Sequence, residues 1–208
     1  MKLATVLSGS VATLALFLAS AQVSRADLIK YPAFRTINPI TYSFTATNTG
    51  DLTAYFAGSS AGYSESVGVL VNGVSTGVFG LNNHTSAIGE SLNFGPVVAG
   101  DSVVIVDKIS GGNTWYSNAA MNGDSMNHIF STSFSGTLGT QIISGGTFVS
   151  FEDETRGQSD LDYNDTSLVF SGLADPPVGT PEPDMVPVLA AGLFGIGLIV
   201  ARRHRLTA

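Results

Sequence analysis

Between Val149 and Phe170 the chain reads Val-Ser-Phe-Glu-Asp-Glu-Thr-Arg-Gly-Gln-Ser-Asp-Leu-Asp-Tyr-Asn-Asp-Thr-Ser-Leu-Val-Phe. Glu152, Asp153, Glu154, Asp160, Asp162, Asn164 and Asp165 fall within 14 positions of one another. Carboxylates at this density repel, so the segment alone would be strained or loose. A hard cation reverses that sign. Calcium collects six to eight oxygens from carboxylates, amides, backbone carbonyls and water, whereas magnesium prefers few protein ligands and retained water. Asp160-x-Asp162-x-Asn164 has the alternate-residue spacing that lets oxygens converge on one ion. It lacks the Gly and distal Glu of an EF-hand loop. Asp160, Asp162 and Asp165 are the foremost ligand candidates. Asn164 could instead cap a turn, Asp153 could support the ligands rather than join them, and Glu154 is expected in solvent. Phe151 and Tyr163 are expected to anchor the segment in a core. The competing expectation is a solvated acidic turn between two strands.

Other chemistry is thin. There is no cysteine, which excludes thiol catalysis and thiolate metal sites. No Gly-x-Ser-x-Gly elbow, His-Glu-x-x-His or phosphate-cradling Gly loop occurs. Paired carboxylates suit a glycosidase only when they flank a substrate, and here they crowd one short segment. Catalytic residues are therefore expected to be none. Trp115 and Tyr116 could form an aromatic platform for sugar, or pack in the core beside Gly111-Gly112. His128 is either a possible ligand contact or a hydrogen-bonded structural histidine. His84 falls in an Asn-rich loop.

The segments that must position these residues are short. No stretch of the middle sustains a helical period. Strands are expected at 41–46, 52–57, 66–71, 77–81, 91–98, 102–107, 114–116, 128–135, 141–144, 147–151 and 167–171, broken by Gly, Asn and Asp. Asn72-Gly73 is a strong hairpin turn. About ten short strands at such spacing predict an all-β, antiparallel β-sandwich, jelly-roll-like, with a barrel as the alternative.

The ends differ from the middle. An apolar stretch from Leu3 to Leu18 follows Met1-Lys2, and Ala19-Ser20-Ala21 and Ser24-Arg25-Ala26 are small-x-small cleavage candidates. Residues 1–26 thus read as a signal peptide. Residues 27–177 form one domain, able to bury its own core. Residues 178–184 are a Pro-rich linker, and 185–208 an apolar helix with an Arg-rich tail. The apolar run Met185–Ala201 is 17 residues, roughly 25 Å as a helix, short but sufficient to cross a thinned bilayer. Arg202, Arg203 and Arg205 would stay cytoplasmic. The middle carries Lys30, Arg35, Lys108 and Arg156 against 14 acidic residues (the 16 of the chain less Glu182 and Asp184), a balance near −10. Nucleic acid is an unsuitable partner for such a surface, and a divalent cation a natural one.

Two resemblances follow from these residues. Pro181-Glu182-Pro183, the apolar run and the arginine cluster resemble the PEP-CTERM sorting signal of Gram-negative bacteria. That implies an exosortase partner, an inner-membrane-anchored precursor, and release to the cell surface or extracellular matrix. Phe151-Glu152-Asp153, a spacer and Asp160-x-Asp162-Tyr163-Asn164-Asp165 before an apolar strand resemble a bacterial extracellular domain of unknown function. The likeness extends to Gly58–Ser64 and to Trp115–His128. It implies that Glu152, Asp153, Asp160, Asp162, Asn164 and Asp165 form a calcium-type site, and that His128 lies on the strand before the loop, within reach of the ion. The chain departs from the pattern in the spacer, which carries Glu154 and Arg156, and in Thr166-Ser167. The expected function is an exported, exosortase-sorted, non-enzymatic surface or matrix protein with a calcium-binding domain. The alternative is a calcium-dependent carbohydrate-binding module for exopolysaccharide, and a glycan hydrolase is a third, more distant reading.

Overall fold

The computed structural model describes residue 31 and residues 36–174. The expected signal peptide, linker, apolar helix and arginine tail lie outside the described residues. Among the described residues no helix is long and apolar enough to cross a membrane.

Among the described residues there are ten strands: β1 (Phe44–Thr45), β2 (Gly50–Gly58), β3 (Glu65–Val71), β4 (Val74–Gly80), β5 (Ser91–Val97), β6 (Ser102–Ile109), β7 (Thr114–Tyr116), β8 (Ile129–Leu138), β9 (Gln141–Phe151) and β10 (Thr166–Ser171). One sheet has the order β1-β6-β3-β4, with β7 also on β6; the other runs β5-β2-β10-β9-β8, and every pairing is antiparallel. Both sheets contribute to one core. Phe44, Val67, Val69, Val103, Ile105 and Trp115 come from the first sheet, and Leu52, Phe56, Phe94, Ile129, Phe151, Leu168 and Phe170 from the second.

Most of the strands follow from alternation. On β2, Leu52, Ala54 and Phe56 are buried and their neighbours less so, the period of a sheet with one face on the core. Asn72 and Gly73 adopt φ 50° and 80°, the left-handed pair that a two-residue hairpin between β3 and β4 requires. The expected strands 141–144 and 147–151 are one strand, β9. Gly145-Gly146 does not break it, because the chain stays paired with β8 across a register shift between Phe134 and Gly136. This is the bulge that strand glycines commonly mark. A second cluster, Phe134, Leu138, Ile143, Phe148 and Val169, covers the outer face of the second sheet. There Tyr31 lies across Phe130 and Phe148 at ring distances of 6.2 and 5.9 Å.

Two inward positions of the first sheet break the apolar pattern. Glu65 shares the parity of Val67 and Val69 on β3, and Asp107 that of Val103, Ile105 and Ile109 on β6. Register places Val67 opposite Asp107 and Glu65 opposite Ile109. The two carboxyls are therefore diagonal neighbours on the core-facing surface.

Candidate metal centre

The acidic segment is the connection from β9 to β10. Phe151 pairs with Thr166 at its base, and the Asp165 N–H donates to the Phe151 carbonyl at 3.1 Å. Tyr163, wholly buried, pins the loop: its hydroxyl accepts from the Asn38 N–H (2.9 Å) and donates to the Asn127 carbonyl (3.2 Å). Leu161 and Tyr163 both take left-handed φ, 59° and 55°, unusual for bulky residues. That reversal lets Tyr163 enter the core while Asp160 stays exposed and Asp162 half-buried. Phe151 is fully buried as well, so both aromatics serve as anchors.

Glu152, Asp153 and Asp165 are buried, and carboxylate oxygens from the three lie within 4.8 Å of one another. A second such group, also within 4.8 Å, joins Glu152 to Asp160 and Asp162. The loop thus brings five of the six expected ligands into two groups that share Glu152. Asn164 lies against the outer group, its backbone N–H donating to Asp162 at 3.2 Å and its side-chain amide donating to the other Asp162 oxygen. Glu154 is half-buried rather than fully in solvent.

The sequence reading missed Glu65 and Asp107. Thr166 on β10 donates its hydroxyl to Glu65 across the two sheets, and Asn83 donates to the other Glu65 oxygen at 3.4 Å. Asp107 is 0 % exposed, and neither of its oxygens has a hydrogen-bond donor; Asp153, 4 % exposed, has one orphan oxygen, Oδ2. The charged groups acting on Asp107 are Glu65, Asp153 and Asp165. Two carboxylates cannot hydrogen-bond to each other unless one holds a proton, so the Glu65 carboxyl beside Asp107 relieves it only by protonation. A carboxylate at a core-facing position of an otherwise apolar strand was the available signal.

Burial, reinforced by neighbouring acids, drives every one of these groups upward. Glu65 and Asp107 rise to about 8, with Asp107 acting on Glu65 and Asp153 on Asp107. Glu152 rises to about 8, with burial first and Asp165 next. Asp153 and Asp165 rise to about 7 for the same first reason. Among the described residues the one ion pair is His128–Asp124, and no lysine or arginine pairs with the cluster. Buried acids without counter-charge are costly. The donor set is all oxygen, which suits a hard cation such as calcium.

The aromatic candidates sit behind this cluster. Trp115 is only 4 % exposed, its indole N–H donates to the Asp153 carbonyl at 2.6 Å, and its face is stacked on His128 with ring centres 3.7 Å apart. It therefore presents no face to a sugar. Tyr116 is half-buried. His128 precedes β8 rather than β9, the strand that leads into the loop. Its Nδ1 donates to the Glu152 carbonyl at 2.8 Å, and its Nε2 faces the Asp124 carboxylate at 3.2 Å. Both nitrogens are thus engaged. The Asp124 contact favours an imidazolium, but burial outweighs it and holds the ring's pKa below its usual value. His128 orients the start of the loop through Glu152 and Trp115.

Two clefts reach the cluster from solvent. One, about 160 Å³ in volume, is lined in part by Tyr63, Gly112, Asp153, Glu154 and Gln158. The other passes Ser64, Glu65, Phe79 and Lys108.

Comparison with family models, with curated proteins and with solved structures finds no match to this chain.

Proposed function

We propose that the chain is an exported, exosortase-sorted surface or matrix protein whose β-sandwich domain binds calcium and performs no catalysis. The domain is jelly-roll-like in this reading, since the chain passes between the sheets at β1–β2, β2–β3, β4–β5, β5–β6 and β7–β8. One observation carries the calcium assignment: buried carboxylate oxygens of Asp107 and Asp153 have no donor, inside a group of acids that have no counter-charge among the described residues. A divalent cation supplies the missing partner. Bound only by the folded chain, it adds stability by mass action. The thermal midpoint then rises when calcium replaces chelator; equal midpoints would overturn the assignment.

Export and sorting rest on residues 1–26 and on Pro181, Glu182, Pro183 and the arginine tail. Replacing Glu182 and both prolines by alanine is expected to leave the protein in the membrane fraction, read by fractionation of producing cells. Unchanged release would contradict sorting through that motif.

A carbohydrate-binding role is favoured by one feature. Asp160 is exposed and Asp162 half-buried, so an ion held by the outer group keeps positions open to sugar hydroxyls. A glycan array run with calcium and with chelator tests it, and the absence of calcium-dependent hits would remove it.

A further inference from the structure

We propose that the cleft between Tyr63, the β6–β7 turn and the start of the β9–β10 loop binds one ring of an uncharged glycan, with Tyr63 as the stacking platform. The proposal rests on the carbohydrate reading above and moves the sugar from an ion's open positions to the protein's own side chains.

Three segments form the walls, and each is held by hydrogen bonds. The Tyr63 carbonyl accepts from the Asn83 side chain at 2.8 Å. The Ser110 N–H donates to the Ser64 carbonyl at 2.8 Å, which ties the loop before β3 to the β6–β7 turn. That turn passes through Gly111 at φ 71° and Gly112, where an added Cβ would lie 2.8 Å from the Ile109 side chain. The third wall starts at Asp153, whose carbonyl takes the Trp115 indole N–H and whose own N–H donates to Asp165 at 2.8 Å. It turns back at Thr155, whose carbonyl accepts from the Gln158 N–H at 2.8 Å. A cleft fixed in this way needs little ordering when a ligand enters.

The lining suits a sugar. Tyr63 is 51 % exposed, and its hydroxyl has no hydrogen-bond partner among the described residues. An open aromatic ring is a large, rigid surface for the apolar face of a ligand whose edge is polar. Tyr63 thereby takes the role that Trp115, buried against His128, cannot. Asn113 and Gln158, both exposed, add amides that donate and accept, and Asp153 and Glu154 add carboxylates that accept. Sugar hydroxyls, each a donor and an acceptor, can use all four. An ammonium or guanidinium group only donates, and would leave the amide N–H groups of Asn113 and Gln158 unused. The charged residues of the lining are both acids, in a domain near −10, so an acidic glycan is repelled. The volume of about 160 Å³ is below the roughly 300–1,000 Å³ of pockets that enclose a drug-sized ligand. The cleft therefore takes one ring and leaves the rest of a polymer outside.

The test is an array of neutral gluco-, galacto- and manno-oligosaccharides and of uronate-containing ones, probed with the full chain in calcium and in chelator. Affinity electrophoresis of variants follows, in gels holding the polysaccharide that the array selects. Wild type is expected to bind neutral members and no uronate-containing ones. Tyr63→Ala, at an exposed position, is expected to bind about tenfold more weakly or worse, Tyr63→Phe to keep most of the affinity, and Asn113→Ala to lose several-fold. Equal binding by wild type and Tyr63→Ala overturns the cleft. If the Asp160→Asn/Asp162→Asn double variant then abolishes binding, the sugar sits on the ion and the carbohydrate reading above stands. Selection of uronate-containing members, or Tyr63-dependent capture of an arginine-rich peptide in place of a glycan, overturns the uncharged-glycan assignment. No binding to any member of the array overturns both the cleft and the carbohydrate reading.

Discussion

Asp107→Asn is expected to stabilise the calcium-free protein and to destabilise the calcium-bound one. Without calcium, Asp107 is a fully buried acid with no donor to either oxygen, pressed by the charges of Asp153 and Asp165 and relieved by Glu65 only through a proton. Asparagine removes the ionisable acid at nearly constant shape and can donate its amide hydrogens to those acids. Relieving an unpaired buried group is worth about 1–3 kcal/mol. With calcium the same change deletes an anionic ligand. A hundredfold loss of affinity takes away about 2.7 kcal/mol of stabilisation at saturating calcium. Urea unfolding of wild type and variant near neutral pH, with chelator and with calcium, reads both arms. A variant stabilised equally in both conditions would mean that Asp107 is a buried acid and no ligand.

The calcium-free protein should lose stability as pH rises, and calcium should abolish that loss. The sign follows from proton counts. Glu65, Asp107 and Glu152 titrate at about 8 in the folded chain, and Asp153 and Asp165 at about 7. Unfolded, the same acids titrate near their ordinary values of about 4. Between those limits the folded state binds more protons than the unfolded one, so stability falls with increasing pH. It is fully present below about pH 4 and is lost as pH climbs through 7 and 8. Each extra proton held by the folded state amounts to about 1.4 kcal/mol per pH unit. Domains have only about 5–15 kcal/mol in total, so several such groups suffice to loosen the calcium-free domain at mildly alkaline pH. Calcium competes with those protons and is bound best by the ionised acids. Melting curves from about pH 5 to pH 8 should therefore fall with pH in chelator and stay level or rise in calcium. Parallel curves in the two conditions would contradict the account.

Much of the architecture was legible because period-two alternation and turn residues are local signals. β7 at Thr114–Tyr116 and the Asn72-Gly73 hairpin lie where composition puts them. β9 was divided in two because Gly145-Gly146 is locally a break, whereas pairing with β8 and β10 carries the strand through it. The β9–β10 loop could be read because its acids are close in sequence. Glu65 and Asp107 could not be assigned to it, since Asp165 follows them by 100 and 58 positions and only the packing of two sheets brings them together. Trp115 shows the same limit. Its type left a sugar platform and core packing both open, and the surroundings that bury it, His128 on one face and the Asp153 carbonyl at its N–H, are set by distant strands. Asn164 was legible in either of two roles, but it is the Asp162 carboxylate that caps the turn, accepting the Asn164 N–H with one oxygen and the Asn164 side-chain amide with the other.

The most direct measurement is the thermal unfolding midpoint of the full chain near neutral pH in chelator, in millimolar magnesium and in millimolar calcium. The buried acids of the β9–β10 loop, β3 and β6 predict a large rise in calcium, a much smaller one in magnesium, and the lowest midpoint in chelator. The same midpoint in all three solutions would contradict a calcium site and leave the loop a buried acidic turn held by protons alone.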